Sequence, residues 1–119
     1  MDIKRSAKTA VSVLDEKLAE DICIIEISEV STLGDYFIIA TGKNVNHVRA
    51  LSDYVSDALA KNKVFCKQSE GYGNANWILM DYGDFIIHLF DKESREYYKL
   101  ERIWRDAKFI EVSDFLAEE

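Results

Sequence analysis

Apolar residues near the start of the chain recur at helical spacing. Over residues 3–20 they fall on one face, and most of the charged side chains lie away from it. A second apolar stripe with the same period runs to about Lys61, and Asn44 in front of it is a good N-cap residue. A third pattern, over residues 100–108, predicts a last helix whose apolar face holds Leu100, Ile103, Trp104 and Ala107.

Five short runs of β-branched and aromatic residues predict strands, at residues 22–27, 36–41, 64–68, 77–82 and 85–90. The second and the last of these runs are apolar on both faces, so we expect both to be central strands. The junction Tyr82-Gly83-Asp84 joins the last two runs, and so short a connection predicts a hairpin. Asp91 is then placed to cap a helical turn that runs through Arg95.

The order of these elements, α-β-β-α-β-β-β-α, predicts a mixed α/β fold with a five-stranded sheet flanked by helices. A chain of 119 residues fits a single domain over residues 1–119, because two separate cores would each be too small. The acidic tail from Glu111 either docks as a short helix capped by Ser113 or frays.

Charge and composition narrow the classes of function. The net charge of −7 argues against direct contact with nucleic acid as the main activity and fits a basic protein partner. Cys23 and Cys66 lie inside apolar runs without CxxC spacing, which predicts reduced core residues. The first residues lack the apolar segment of a signal peptide, and no run approaches the about 20 apolar residues of a membrane helix. We therefore expect a cytoplasmic protein without a membrane partner.

Asp81, Asp84 and His88 lie close enough in sequence to suggest an acid/base or metal group. Turns favour Asp, and His88 lies mid-strand among apolar neighbours, so a turn and a satisfied core histidine explain the same residues. A metal site needs three or four convergent ligands, and the sequence offers no such cluster elsewhere, so we expect neither a metal nor a cofactor. The alternative is a small metal- or nucleotide-dependent hydrolase or nucleotidyltransferase that uses these three residues.

Residues 41–44 lie between a predicted strand and a predicted helix, where free backbone N–H groups can bind an anion. The segment has neither the GxxxxGKS/T nor the GxGxxG pattern of a phosphate-binding loop. It is therefore interpreted as a helix start.

Trp77, Leu79 and Asp81 share one face of their predicted strand. If the last segment packs beside that edge, it adds Tyr98, Leu100 and Glu101. The result is an aromatic and apolar patch rimmed by acids, a composition typical of a protein-binding hot spot. We call these six residues the candidate binding face. The alternative, that Trp77 and Leu79 are core residues beneath a helix, stays open on pattern alone.

Several motifs occur in order over nearly the whole chain: DYFIIATG at residues 35–42, HVRA at 47–50, Glu70-Gly71, WILMDYGD at 77–84 with His88, and Arg95 followed by YxLExxW at 98–104. Together they resemble the motifs of the ribosomal silencing factor family (RsfS, also called Iojap). The resemblance implies a mixed α/β fold shaped like the nucleotidyltransferases. The chemistry of those enzymes needs Gly-Ser and a following Asp-x-Asp pair, and Gly42 is followed by neither.

The resemblance also implies a function that is not enzymatic. Such proteins are homodimers that bind the fourteenth protein of the large ribosomal subunit. They block joining of the small subunit and so lower translation when nutrients are short. The family's partner-facing surface would fall on the candidate binding face, with no direct nucleic-acid site. A third interpretation, a plain dimerisation module without a ribosomal partner, also remains open.

Overall fold

A mixed sheet of six strands forms the centre of the protein in this computed structural model, which describes residues 3–30, 32 and 34–117. The elements are α1 (Ile3–Glu16), β1 (Glu20–Glu26), β2 (Tyr36–Gly42), α2 (Val45–Lys61), β3 (Gln68–Glu70), β4 (Trp77–Asp81), β5 (Phe85–Asp91), α3 (Lys92–Tyr98), a 3₁₀ turn (Leu100–Arg102), β6 (Lys108–Ile110) and α4 (Val112–Ala117). The strand order is β3-β4-β5-β2-β1-β6, in which β2 and β5 pair in parallel and the other neighbours are antiparallel.

The two predicted central strands, β2 and β5, lie side by side in the middle of the sheet. Their residues are apolar on both faces because each face is covered by other elements. Helices α1, α2 and α4 pack on one face over a large apolar core. The Asn44 side chain accepts a hydrogen bond from the His47 N–H at 2.9 Å, as the predicted N-cap of α2 requires.

The opposite face of the sheet carries a thinner layer. Its buried apolar residues are Ile25, Ile27, Phe37, Ile39 and Phe90. Short segments cover them, namely α3, the 3₁₀ turn and the turns that follow it, and none of the described residues of α3 is itself buried. This face therefore keeps half-buried side chains at its margin, and the candidate binding face lies on it.

The predicted helix over residues 100–108 is wrong. A left-handed Lys99, with φ of 45°, ends α3, and the chain continues as a 3₁₀ turn and irregular turns. Leu100, Trp104 and Ala107 still pack on the sheet as the apolar pattern predicted, whereas Ile103 is 69% exposed. Residues 108–110 form β6 because they pair with the free edge of β1, which makes six strands rather than five.

Two other boundaries differ from the sequence prediction. Helix α1 ends at Glu16 rather than at residue 20, and Leu18 is exposed with φ of 68° where the chain turns into β1. The predicted strand over residues 64–68 is reduced to β3, because Val64 still binds the end of α2 through its N–H to the Leu59 carbonyl at 2.9 Å.

The tail docks on the helical layer instead of fraying. Phe115 of α4 is fully buried and meets the Tyr36 ring edge-on at 5.4 Å between centroids. Ser113 lies inside α4, since the helix begins at Val112, so it is not the predicted cap. Both cysteines are free and half-buried, and burial raises the pKa of the Cys23 thiol to about 11. Within the described residues, no helix has the length and apolar character needed to span a membrane.

Candidate binding face

Strand β4 alternates between the two faces of the sheet. Ile78 and Met80 are buried on the helical side, and Trp77, Leu79 and Asp81 are half-buried on the thinner side. The structure thus confirms that these three side chains share a face. Strand β3, which borders β4, is exposed at all three of its residues, so β4 lies near an open margin of the sheet.

Trp77 lies in an aromatic cluster between β5 and α3. Its ring centroid is 4.7 Å from that of Tyr98, 5.0 Å from that of Phe90 and 5.8 Å from that of His88. Tyr98 remains 48% exposed. Trp77 is therefore neither a free surface residue nor a core residue beneath a long helix. It is a half-buried anchor, and its ring packs against the more exposed ring of Tyr98.

His88 orients Trp77 by a hydrogen bond. The indole Nε1–H donates to His88 Nδ1 at 3.0 Å, so a neutral His88 carries its proton on Nε2. His88 is only 4% exposed, and desolvation lowers the pKa of its imidazole to about 4. The imidazole is thus neutral at pH 7 and has its Nδ1 lone pair occupied.

Asp81, Asp84 and His88 each have a separate structural role. Asp81 Oδ1 accepts a hydrogen bond from the Gly83 N–H at 2.7 Å, which closes the hairpin turn. The backbone carbonyl of Asp84 accepts from the Asp35 N–H at 2.6 Å and so ties the turn to β2. Among the described residues, no group of three or more His, Cys, Asp or Glu side chains is placed to hold a metal ion.

Glu101 is anchored to the sheet through Arg95, a residue that the spacing of apolar positions did not single out. Glu101 Oε2 lies 3.0 Å from Arg95 Nε, and Arg95 Nη1 donates to Thr41 Oγ1 at 2.8 Å. The Arg95 side chain is only 11% exposed, so this ion pair is largely shielded from water. It holds the 3₁₀ turn, with the half-buried Leu100, against the end of β2.

The six residues of the candidate binding face form a strip rather than one compact patch. Trp77 and Tyr98 touch, and Leu100 packs in the same cluster as Trp77. Leu79 follows along β4, opposite His88 of β5. Asp81 lies at the far end of the strand in the hairpin turn, and Glu101 lies beside Arg95.

Hydrogen bonds among residues 43–47 occupy backbone N–H groups at the start of α2. The Lys43 N–H donates to His47 Nδ1 at 2.9 Å, and the His47 N–H donates to the Asn44 side chain. His47 Nε2 lies 3.0 Å from the Lys17 carbonyl, so the imidazole bridges the end of α1 to the start of α2. These contacts fit the interpretation of residues 41–44 as a helix start.

Sequence comparison assigns the chain to a family. The family model described as "Ribosomal silencing factor during starvation" (RsfS) matches residues 1–119. The chain belongs to the ribosomal silencing factor family. Membership supports a ribosome-associated role in silencing translation, and RsfS proteins are regulatory factors, not known enzymes.

Individual relatives agree with this assignment. The ribosomal silencing factor RsfS of Bacillus subtilis is 36% identical over 112 residues, which cover 94% of this chain and 95% of that protein. The mouse "Mitochondrial assembly of ribosomal large subunit protein 1" is 33% identical over 104 residues, 83% of this chain and 45% of that protein.

Two solved structures share the fold. A Chromobacterium violaceum protein superposes with a TM-score of 0.85 at 31% identity and covers 88% of each chain. A Bacillus halodurans protein gives a TM-score of 0.80 at 30% identity, over 91% of this chain and 98% of that one. The mixed α/β fold class that the sequence predicted is therefore confirmed.

Proposed function

We propose that this RsfS chain represses translation by occupying a surface of the large ribosomal subunit. It binds the fourteenth protein of that subunit through the candidate binding face and stands where the small subunit would dock. Repression is strongest when nutrients are short. The free factor is a cytoplasmic homodimer, as the family resemblance implies.

The ring pair formed by the half-buried Trp77 and the half-exposed Tyr98 carries this proposal. Aromatic side chains held rigidly at a surface are typical hot-spot anchors, because little conformational entropy is lost when a partner covers them. Here one ring is fixed by a hydrogen bond to His88 and the other packs against it at 4.7 Å. The geometry supports a preformed protein-binding surface.

The charge of the chain supports a basic protein as the partner. At −7 the factor is repelled by the phosphates of bare RNA and attracted to a cationic protein patch. Blocking needs no chemical turnover, only a stable obstacle, and an interface of roughly 1,200–2,000 Å² suffices for that.

The first test is the substitution Trp77→Ala. We expect it to weaken binding to isolated large subunits by ~2–4 kcal/mol, since truncating a hot-spot aromatic removes its buried contacts. Co-sedimentation measures the binding, and thermal unfolding confirms that the variant is folded at the temperature used. Tyr98→Ala, which removes the more exposed ring, should weaken binding in the same direction.

Tyr54→Ala is the matched control, because Tyr54 is similarly exposed, at 45%, but belongs to α2 on the other side of the sheet. It should bind like the wild type. Subunit joining is measured in parallel by sedimentation of mixed small and large subunits with and without the factor. Full affinity in Trp77→Ala, or undiminished subunit joining with saturating wild type, would overturn the proposal.

A further inference from the structure

The β4–β5 ladder ends at the pair Trp77 and Phe90, and the next two residues, Asn76 and Asp91, are joined through both backbone and side chains. The Asp91 N–H donates to the Asn76 carbonyl at 3.1 Å, and Asn76 Nδ2 donates to Asp91 Oδ2 at 2.7 Å. The other oxygen, Asp91 Oδ1, accepts from the Ser94 N–H at 2.8 Å and caps α3. One carboxylate therefore connects the residue before β4 to the first turn of α3.

This connection matters because few other contacts hold α3 in position on the sheet. The helix has seven residues, none of them buried, and so short a helix is not stable by itself. Arg95 anchors its middle to Thr41 of β2. The exposed Lys92 also pairs with Glu20 of β1 at 3.4 Å. Of these three anchors, the Asp91 carboxylate is the one that also binds the residue next to Trp77.

The two residues that the carboxylate joins lead directly to the two aromatic rings. Asn76 precedes Trp77, and Trp77 pairs with Phe90 beside Asp91. Tyr98 is the last residue of α3. The contact between the Trp77 and Tyr98 rings is a dispersion contact at 4.7 Å, so their relative orientation depends on how β4 and α3 are held.

The protonation state of Asp91 agrees with this role. Burial pushes the pKa of its carboxyl upward, but the hydrogen bonds from Ser94 and Asn76 outweigh burial, and the net shift of the pKa is downward. The carboxylate is thus ionised at neutral pH and accepts both bonds at once.

We propose that the Asn76–Asp91 pair is a positioning element that holds Trp77 against Tyr98 and thereby sets the affinity of the candidate binding face for its basic protein partner. Neither residue needs to touch the partner. The inference rests on the proposed function for the identity of the face, and it adds two residues that determine its geometry.

A side-chain swap tests the proposal. Asn76→Asp places a second carboxylate against Asp91, where no donor remains, so it breaks the bond. Asp91→Asn keeps an oxygen for the Ser94 N–H, and the Asn76 amide can turn its oxygen toward the new amide at position 91. The double variant restores a bond of the original type with donor and acceptor exchanged.

We expect Asn76→Asp to weaken binding to isolated large subunits about tenfold. The double variant should return to within about twofold of the wild type, and Asp91→Asn should lie close to it. Nuclear Overhauser contacts between the Trp77 and Tyr98 rings report their geometry in the free chain. These contacts should be lost in Asn76→Asp and recovered in the double variant. All proteins are compared at a temperature where thermal unfolding shows them fully folded.

Asn74→Asp is the control for charge. It makes the same change two positions upstream, at an exposed residue of the same loop, and should leave both affinity and ring contacts unchanged.

The outcomes separate the two proposals. Full affinity in Asn76→Asp, an unrescued double variant, or lost ring contacts at unchanged affinity would each overturn the positioning role. If the wild type does not bind large subunits, the proposed function fails. The ring contacts of the wild type and the four variants then decide the positioning role by themselves.

Discussion

At the scale of single residues, the bond from the Trp77 indole to His88 fixes both the anchor and the state of the histidine. Protonated imidazole carries N–H groups on both nitrogens and cannot accept from Trp77 Nε1. The lowered pKa of His88, about 4 against an ordinary 6.5, follows from its burial. The folded chain therefore excludes the proton that the unfolded chain takes up below pH 6.5.

The stability of the fold should consequently fall on mild acidification. The unfolded state binds more protons at position 88 between pH 6.5 and about 4, so this contribution is fully present above pH 6.5 and is lost as the pH falls through that window. We expect a loss of about 1–2 kcal/mol in the free energy of unfolding between pH 7 and pH 5, measured by urea denaturation.

His88→Gln supplies the control for this prediction. Its side-chain oxygen can accept from the Trp77 indole, but it does not titrate. His47, the other histidine, is unchanged in both proteins. An equally steep loss of stability in His88→Gln and wild type would show that His88 is not its source.

The role of His88 was partly predictable from sequence. Its mid-strand position among apolar residues predicted a satisfied core histidine, and this is only half right. Nδ1 accepts from Trp77, whereas the buried Nε2–H has no hydrogen-bond partner among the described residues. The identity of its partner depends on the register of the hairpin, which pairs His88 with Leu79 and places Trp77 diagonally across from it. A shift of one residue would have turned Trp77 to the helical face.

At the scale of elements, the loop between β3 and β4 determines where Trp77 begins its strand. Arg49 of α2 holds this loop, with Nε donating to the Tyr72 carbonyl at 3.1 Å and Nη2 to the Gly73 carbonyl at 2.5 Å. Gly71 has φ of 90°, and a Cβ there would overlap the Trp77 carbonyl oxygen. Of the two glycines in this loop, Gly71 and Gly73, the backbone conformation therefore requires glycine only at Gly71.

Gly71→Ala should therefore destabilise the chain by about 1–3 kcal/mol, because the methyl group adds a steric clash to a left-handed backbone. Gly73→Ala is the matched variant, since a Cβ at Gly73 meets nothing within 4 Å. It should change the free energy of unfolding by less than about 0.5 kcal/mol. Urea denaturation compares the two. Equal losses would mean that the Gly71 turn adapts to a side chain.

The segment over residues 100–108 shows how hydrophobic periodicity can predict the wrong secondary structure. The spacing of Leu100, Trp104 and Ala107 fits a helix and predicted one, yet the same residues reach the sheet from a 3₁₀ turn and irregular turns. Periodicity reports which side chains are apolar at which intervals, whereas the conformation was decided by the ion pair to Arg95 and by the pairing of β6 with β1.

At the scale of the whole molecule, the two faces of the sheet are covered unequally. Three helices build a large core on one side, and the other side carries α3 and short turns. The asymmetry leaves one margin of the sheet available as a surface without opening the main core. The net charge of −7 would act on a basic partner at long range, whereas Trp77 and Tyr98 would act on contact.

Long-range attraction should appear in the association rate. We expect the rate of binding to the proposed partner, the isolated fourteenth ribosomal protein, to fall when salt rises from about 0.1 M to about 1 M, which shortens the Debye length from about 10 Å to about 3 Å. Stopped-flow mixing measures the rate. Trp77→Ala should keep the same salt dependence and dissociate faster, since contact residues act mainly on dissociation. A rate that does not change or rises with salt would contradict electrostatic steering.

Local patterns in the sequence predict the mixed α/β class, the central strands, the hairpin, the cap residues Asn44 and Asp91, and the shared face of Trp77, Leu79 and Asp81. These features depend on local chemistry and on the two-residue period of a strand, both of which can be read along the chain. Other features exist only in the folded chain: residues 108–110 pair with β1 as a strand, Arg95 ties Glu101 to Thr41 of β2, and Asp91 connects Asn76, the residue before β4, to α3. Those features join residues distant in sequence or depend on a free sheet edge, and no local pattern encodes such contacts.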